Sequence, residues 1–561
     1  MEAINHLLDT FGSNPLYLAA ALLLALLLPI LASHLFSHGG NGSKPGSLPS
    51  WKGIPFLGNT IQYIVDNGSF ISRASLALQT REIVQFYLGP TKAFLIVGPQ
   101  NVQALFRTTK TPSVSSDKFN LMTQDALMCY TKEDVAKYAN DKTGRLAEPN
   151  QGSMATHQGP RYWYGMHHQM KSLSQISTTS RLTGKFLGFF SERVQQYPLG
   201  EPVTVNLYHF MRTTMAGAAI RALTGHRLLD RIGEEKMLDA FWDYDSIVIN
   251  LLYALPKWMD PRPWRIRARA QAMCLEWLKN EFDVVSDLGN EEDDVDWHPV
   301  LGLRFFREYL QWVKRTGHAD ETRAGQVLGF LLGINANSIP IAAWALMEII
   351  QDRGLWKEVQ KEAESVFEIN TTTGQRTLNV QKMMSLPLLQ SVYVEALRLH
   401  VSVNVTREVV GQTATIAGHE LPKHSLVQAP TRIALYNEKA WGTVGHVASE
   451  FWAYRHIKYT DVRDESGKAT RKAEFAMAAG PNDFFPYGGG VSMCPGRHFA
   501  KQEIMATIAV MVTTFDIEMI EWMSFDGKTK SDRPAQENPS YSGSASMPPD
   551  RDMKVCWTRR V

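Results

Sequence analysis

Cysteine is scarce in this chain, and neither sign of charge is in surplus. Only Cys129, Cys274, Cys494 and Cys556 occur among 561 residues, with no C-x-x-C pair. That argues against a zinc ribbon and against a secreted disulfide scaffold, and leaves any one cysteine to act alone. Lys+Arg number 58 and Asp+Glu 56, so no global field draws the protein toward nucleic acid. The acidic run Glu291 to Asp296 lacks calcium-loop spacing and reads as a solvated loop. At 44% hydrophobic and 10% aromatic residues, the chain is too apolar to be disordered over most of its length.

What is present begins with an uncharged apolar run, Leu16 to Ala32, which His34, Leu35 and Phe36 extend. At about 1.5 Å per residue it reaches roughly 26 Å, slightly short of a hydrocarbon core of about 30 Å. Glu2 and Asp9 precede it, whereas Lys44 and Lys52 follow. The positive-inside rule then sets the body of the protein in the cytosol, and a cleaved signal peptide would need the opposite flank. The expected layout is a lumenal N-terminus over 1–15, a single-pass anchor over 16–36, a Gly/Ser/Pro linker over 37–50 and one globular domain over 51–561. Apolar residues repeat at three and four over 325–351, 383–400 and 497–520, while strand-like runs such as Phe94 to Val97 and Leu426 to Gln428 are short. The fold class is therefore mainly α with small β-sheets.

One cysteine stands in a distinctive setting. Gly488, Gly489 and Gly490 precede Cys494, Pro495 and Gly496 turn the chain after it, and helical spacing resumes at Lys501. A sulfur on a glycine-lined loop at a helix N-terminus is favoured as thiolate and can ligate one metal axially. A buried structural cysteine fits the same residues. Upstream, Glu395 and Arg398 lie three apart in a helical run, and Phe451 to Arg455 is aromatic with a terminal arginine.

In this order the segments resemble the cytochrome P450 superfamily, whose fold and single haem domain the resemblance extends over residues 51–561. It implies that Glu395, Arg398 and Arg455 form the family's structural core. It also implies that Cys494 is the axial ligand of the haem iron, in a loop held by Gly490 and Gly496. Thiolate ligation pushes electron density onto iron and favours O–O cleavage. Two positions depart from the family pattern. Tyr487 stands where Phe is usual, and Ser492 stands where a basic residue usually meets a haem propionate. Arg407 is the expected substitute, with the Trp163, His167 and Lys171 helix face as a further source.

The second departure bears on chemistry. The long central helix usually carries an acid–alcohol pair, but here Asn335, Ala336, Asn337 and Ser338 precede Pro340. One register places Ala336 and Asn337 at the pair, the other Asn337 and Ser338, and neither has a carboxylate. Pro340 lacks an N–H and should free the carbonyl of Ala336 and kink the helix. Asn337 or Ser338 would then bond dioxygen while water carries protons. The alternative for Asn337 is an amide bonded to the freed carbonyl. This stretch resembles the branch of cholesterol 7α-hydroxylase, sterol 12α-hydroxylase and prostacyclin synthase, and the composition suits a fungal biosynthetic enzyme.

The resemblance implies a membrane-anchored monooxygenase of the endoplasmic reticulum. It would take electrons from NADPH-cytochrome P450 reductase, with no fused flavin domain. It would insert one oxygen atom into a lipophilic small molecule, a sterol, terpenoid or other secondary metabolite, and Tyr541 to Pro549 would form a loop of its pocket. The alternative is a haem-thiolate isomerase or dehydratase of the prostacyclin-synthase type, needing no reductase.

Overall fold

The computed structural model describes residues 58–561, apart from 79–81, 108–112, 254–256, 288–294, 370–375 and 464–468. The expected anchor and linker, and most of the acidic run, lie outside the described residues.

Six helices position the site: α1 (Pro99–Phe106), α2 (Tyr162–Lys171), α3 (Asp320–Asn335), α4 (Ser338–Gln351), α5 (Pro387–His400) and α6 (Arg497–Thr514). The helices α3 to α6 are apolar on most of their surface, and their side chains fill one large core. By length and composition Asp320–Gln351 could cross a membrane. Its side chains are mostly buried inside the fold, so it is the central helix pair of the domain.

The main sheet runs β1 (Ile83–Leu88), β2 (Thr91–Ile96), β5 (Leu426–Pro430), β4 (Val401–Val409) and β6 (Ser544–Ser546), with β3 (Val114–Ser115) also paired to β4. Only the β2–β5 pairing is parallel; the others are antiparallel. Because β4 follows α5 directly, the sheet is fixed to the helix that carries Glu395 and Arg398. A second sheet pairs Phe515–Ser524 with Arg551–Arg559 and Pro202–Asn206.

Two sequence expectations need correction. Helical spacing suggested one helix over 497–520, yet α6 stops at Thr514 and Phe515–Ser524 is a strand. From Phe515 to Glu518 buried and exposed residues alternate, and that period of two wins over the apolar periodicity preceding it. The 325–351 run is likewise two helices, broken at Ala336 and Asn337, four and three residues before Pro340.

Candidate active site

The break between α3 and α4 opens a face on a helix that is otherwise packed. Gly325, Gly329, Gly333 and Asn337 follow one another at four-residue spacing, which keeps neighbours on one side of a helix. A Cβ at Gly325 would lie 1.5 Å from the Met128 carbonyl oxygen, and one at Gly329 would lie 3.1 Å from the Met128 side chain. At Gly333 a Cβ would meet nothing within 4 Å. Gly333 and Asn337 are exposed while Asn335, Ala336, Ser338 and Ile339 are buried. The face therefore passes from covered to open at Gly333, with Asn337 as the polar side chain on its open part.

Asn337 is tied down by a distant segment. Its Oδ1 accepts the backbone N–H of Ser546 at 2.9 Å. The Ser546 hydroxyl reaches the carbonyl oxygens of Ala336 at 3.4 Å and Asn337 at 3.2 Å. Pro340 cannot serve the Ala336 carbonyl, and it is Ser546, not the Asn337 amide, that approaches it. Ser338 faces the other way. It is 2% exposed, on the side where α4 packs against α6, and Glu503 of α6 is its polar neighbour.

The cysteine loop is shaped by close backbone approach. Gly490 has φ of 66°, in the left-handed region, and a Cβ there would lie 2.6 Å from the Phe106 carbonyl oxygen at the end of α1. A Cβ at Gly489 would lie 2.3 Å from the Phe106 ring, so no side chain fits there. Cys494 N–H is donated to the Tyr487 carbonyl at 3.0 Å, and the Arg497 guanidinium holds the Cys494 carbonyl at 3.0 Å. Burial pushes the Cys494 thiol up, opposed by the N–H groups of Gly496 and Arg497 and by the Arg497 charge. Cys494 is half-buried, whereas Cys129 and Cys274 are buried. Tyr487 bonds the Tyr393 hydroxyl at 2.7 Å, and Ser492 bonds the Ser116 hydroxyl at 2.7 Å.

Arg407 of β4 reaches this loop, donating to the Gly489 carbonyl at 3.2 Å. Burial, and then the charge of Arg145, lowers its pKa to about 10. No carboxylate among the described residues forms an ion pair with it, although Asp117 lies within electrostatic range. A half-buried guanidinium with no ion-pair partner, beside a second one, is costly unless an anion completes the site. Arg145, which the sequence did not single out, stacks 4.4 Å over the Trp163 ring and pairs with Asp117 at 2.8 Å. It stands in a loop with no periodicity to mark it. The α2 face contributes less than its spacing suggested. Trp163 spends its indole N–H on the Tyr138 carbonyl, at 2.9 Å, and Lys171 is exposed. His167 is held below the usual imidazole pKa by burial and then by Arg145 and Lys171.

Behind these elements lies a closed ionic core. Arg398 bonds Glu395 Oε1 at 2.6 Å and Oε2 at 2.9 Å, and Arg455 bonds Oε2 at 3.0 Å. His456 adds a contact at 3.2 Å to Oε1. The side chains of Glu395, Arg398, Arg455 and His456 are all 0% exposed. Burial alone would raise the Glu395 pKa, but Arg398 and then His456 override it and hold it at about 2. The guanidiniums are completed by carbonyls of Leu435, Ala448 and Glu450 for Arg398, and of Trp441, Val447 and Glu450 for Arg455. Every guanidinium nitrogen of Arg398 and Arg455 thus donates at least once, which is what makes such a buried cluster tolerable.

A family model described as Cytochrome P450 matches residues 200–534. The chain is 41% identical over 525 residues to cytochrome P450 monooxygenase calL of Penicillium decumbens, covering 93% of this chain and 94% of that protein. It is 23% identical over 322 residues to the 7-alpha-hydroxycholest-4-en-3-one 12-alpha-hydroxylase of Oryctolagus cuniculus, covering 56% and 60%. Among solved structures it is similar to the cytochrome P450DA heme domain, with a TM-score of 0.60 and 15% identity over 92% of this chain and 98% of that one.

The chain belongs to the cytochrome P450 family. It is a monooxygenase, an oxidoreductase whose cofactor is haem held by a cysteine thiolate and whose reaction needs a redox partner and a small-molecule substrate. The residues present fit that cofactor. A half-buried sulfur is approached by two backbone N–H groups, the half-buried Arg407 guanidinium forms no ion pair among the described residues, and the helix face opens at Gly333.

Proposed function

We propose that this monooxygenase oxidises a lipophilic, sterol- or terpenoid-sized molecule, with Asn337 as the polar group over the haem. Cys494 would supply the thiolate that holds the haem iron, since a metal deprotonates a coordinating thiol outright whatever burial does to the free one. Arg407 and Arg145 would hold the propionates, where Ser492 has no charge to offer, with His167 in electrostatic range of Arg145 and Lys171 exposed. When bound, the haem activates dioxygen for insertion of one oxygen atom into substrate. Asn337 offers amide N–H donors at the open face and holds no proton to give, so ordered water carries protons there. The observation that carries this reading is the exposure of Gly333 and Asn337 within a buried helix pair.

The substrate class rests on the relative named for 7-alpha-hydroxycholest-4-en-3-one and on the uncharged residues Gly333 to Asn337 along the open face. Leu16 to Ala32 suits a single-pass anchor in the endoplasmic reticulum, with the enzyme in the cytosol and electrons from NADPH-cytochrome P450 reductase. The relatives are named as monooxygenases or hydroxylases, so the isomerase alternative gains no support.

The test compares metabolites of the host by mass spectrometry with this chain, without it, and with Cys494→Ala. A product one oxygen heavier than the accumulating precursor, lost with Cys494→Ala, supports the reading. Precursor and product of equal mass would overturn it.

A further inference from the structure

Among the side chains around the α3–α4 break, Asn337 has a fixed orientation. A backbone N–H can only donate, so the atom it contacts at 2.9 Å must be the amide oxygen. The Nδ2 group then points elsewhere, and nothing among the described residues accepts from it. Its donor Ser546 lies 209 residues away, in the β6 strand. That strand is pinned on both sides. Ser544 to Ser546 pair with Val403 to Val401 of β4, and Met547 N–H is donated to the His400 carbonyl at 2.7 Å. The Met547 carbonyl in turn accepts the Trp344 indole N–H of α4 at 2.9 Å. Trp344 stacks on His400 with ring centroids 4.2 Å apart and planes within 6°. So β6 is clamped to the end of α5 and to α4, and Ser546 meets Asn337 from a rigid support.

We infer that Ser546 is a positioning residue for the oxygenation reaction: its backbone N–H and hydroxyl lock the α3–α4 break so that Asn337 presents N–H donors, and no acceptor, to the open face. The ligand group this arrangement takes is an acceptor oxygen. The Asn337 oxygen has two lone pairs, and the Ser546 N–H at 2.9 Å and hydroxyl at 3.2 Å both reach it, so it offers no acceptor to a ligand hydroxyl. The inference rests on the placement of Asn337 over the haem, and the two halves of its test separate the link from that placement.

The first half needs no haem chemistry. Hydrogen–deuterium exchange of the full chain, read by mass spectrometry on peptides containing Ser546, should speed up about tenfold at that amide in Asn337→Ala, the loss of one partly buried hydrogen bond. Unchanged exchange would overturn the Ser546–Asn337 link. The second half is the C–O stretching band of the carbon monoxide complex, which responds to a nearby donor. The wild-type band should be single and narrow. Asn337→Asp keeps the acceptor for Ser546 and removes the donors, so the band should shift. Ser546→Pro removes the N–H and should split or broaden the band. Ser546→Thr, which keeps both the N–H and a hydroxyl, should restore the wild-type band. Should the proline variant fail to fold, Ser546→Ala, lacking only the hydroxyl, should still broaden it. A merely structural serine would lower the melting temperature and leave the band single, which would overturn the proposal. A band unmoved by Asn337→Asp, with exchange altered as expected, would overturn the placement of Asn337 over the haem and keep the link.

Discussion

The Glu503 carboxyl is fully buried between α6 and α4, and the Ser338 hydroxyl is the polar group that approaches it, short of a direct hydrogen bond. One turn further along α6, the Thr507 hydroxyl is also buried without a partner. Burial holds the Glu503 carboxyl well above the usual carboxylate range. A raised acid favours the folded state below the unfolded pKa of about 4.3 and loses that contribution as pH rises toward the folded value. Glu503→Gln, isosteric and neutral, should therefore flatten the fall in melting temperature as pH rises above about 4.3. Infrared difference spectra should show a protonated carboxyl band in the wild type that this variant lacks.

Glu395 behaves in the opposite sense. Its lowered pKa contributes stability that is present above about pH 4.3 and is lost as pH falls toward about 2. Glu395→Gln leaves Arg398 and Arg455 buried without an anion and should cost about 3–5 kcal/mol, measured by denaturant unfolding. Arg455→Lys keeps the charge but loses the planar fork that reaches Glu395, Val447 and Glu450, and it should not rescue stability.

Arg407→Gln and Arg145→Gln should each release haem faster. A hydrogen bond to a charged group is worth about 1.5–3 kcal/mol, which is about ten- to a hundredfold in rate if it is lost before the transition state. Transfer of haem to an acceptor apoprotein reads this directly. Ser492→Arg places a charge beside the Ser116 pair and should slow release in the Arg145→Gln background.

Gly490→Ala should fail for two reasons that act together. The left-handed backbone disfavours a side chain, and the new Cβ would strike the Phe106 carbonyl. Thermal unfolding should drop, and the absorption typical of a thiolate-bound carbon monoxide complex should weaken in the folded fraction.

The parts of this site that the sequence displayed are those built from short spacings. Glu395 and Arg398 sit three apart on one helix, and the glycines and cysteine share a single loop, so a linear reading collects them. Pro340 likewise announces the break that appears at Ala336 and Asn337. The sequence could not choose between Asn337 and Ser338, because the break sends adjacent residues to opposite sides. Nor did it mark Ser546 or Arg145. One joins Asn337 across 209 residues from a Gly/Ser/Pro-rich stretch, and the other sits in an aperiodic loop whose partner, Trp163, lies on a later helix. The end of α6 was missed because Phe515, Met519 and Trp522 continue the four- and three-residue apolar spacing into the strand.

The clamp between β6 and α4 makes this segment non-modular for engineering. Exchanging residues 541–549 for those of another enzyme, to alter what is oxidised, would also replace the group that steers Asn337. Grafts that bring no N–H or no hydroxyl to position 546 would then loosen the orientation of Asn337 even where the new substrate binds well. Positions 337 and 546 should be exchanged as a pair, and natural or laboratory lineages that alter one should show a compensating change at the other.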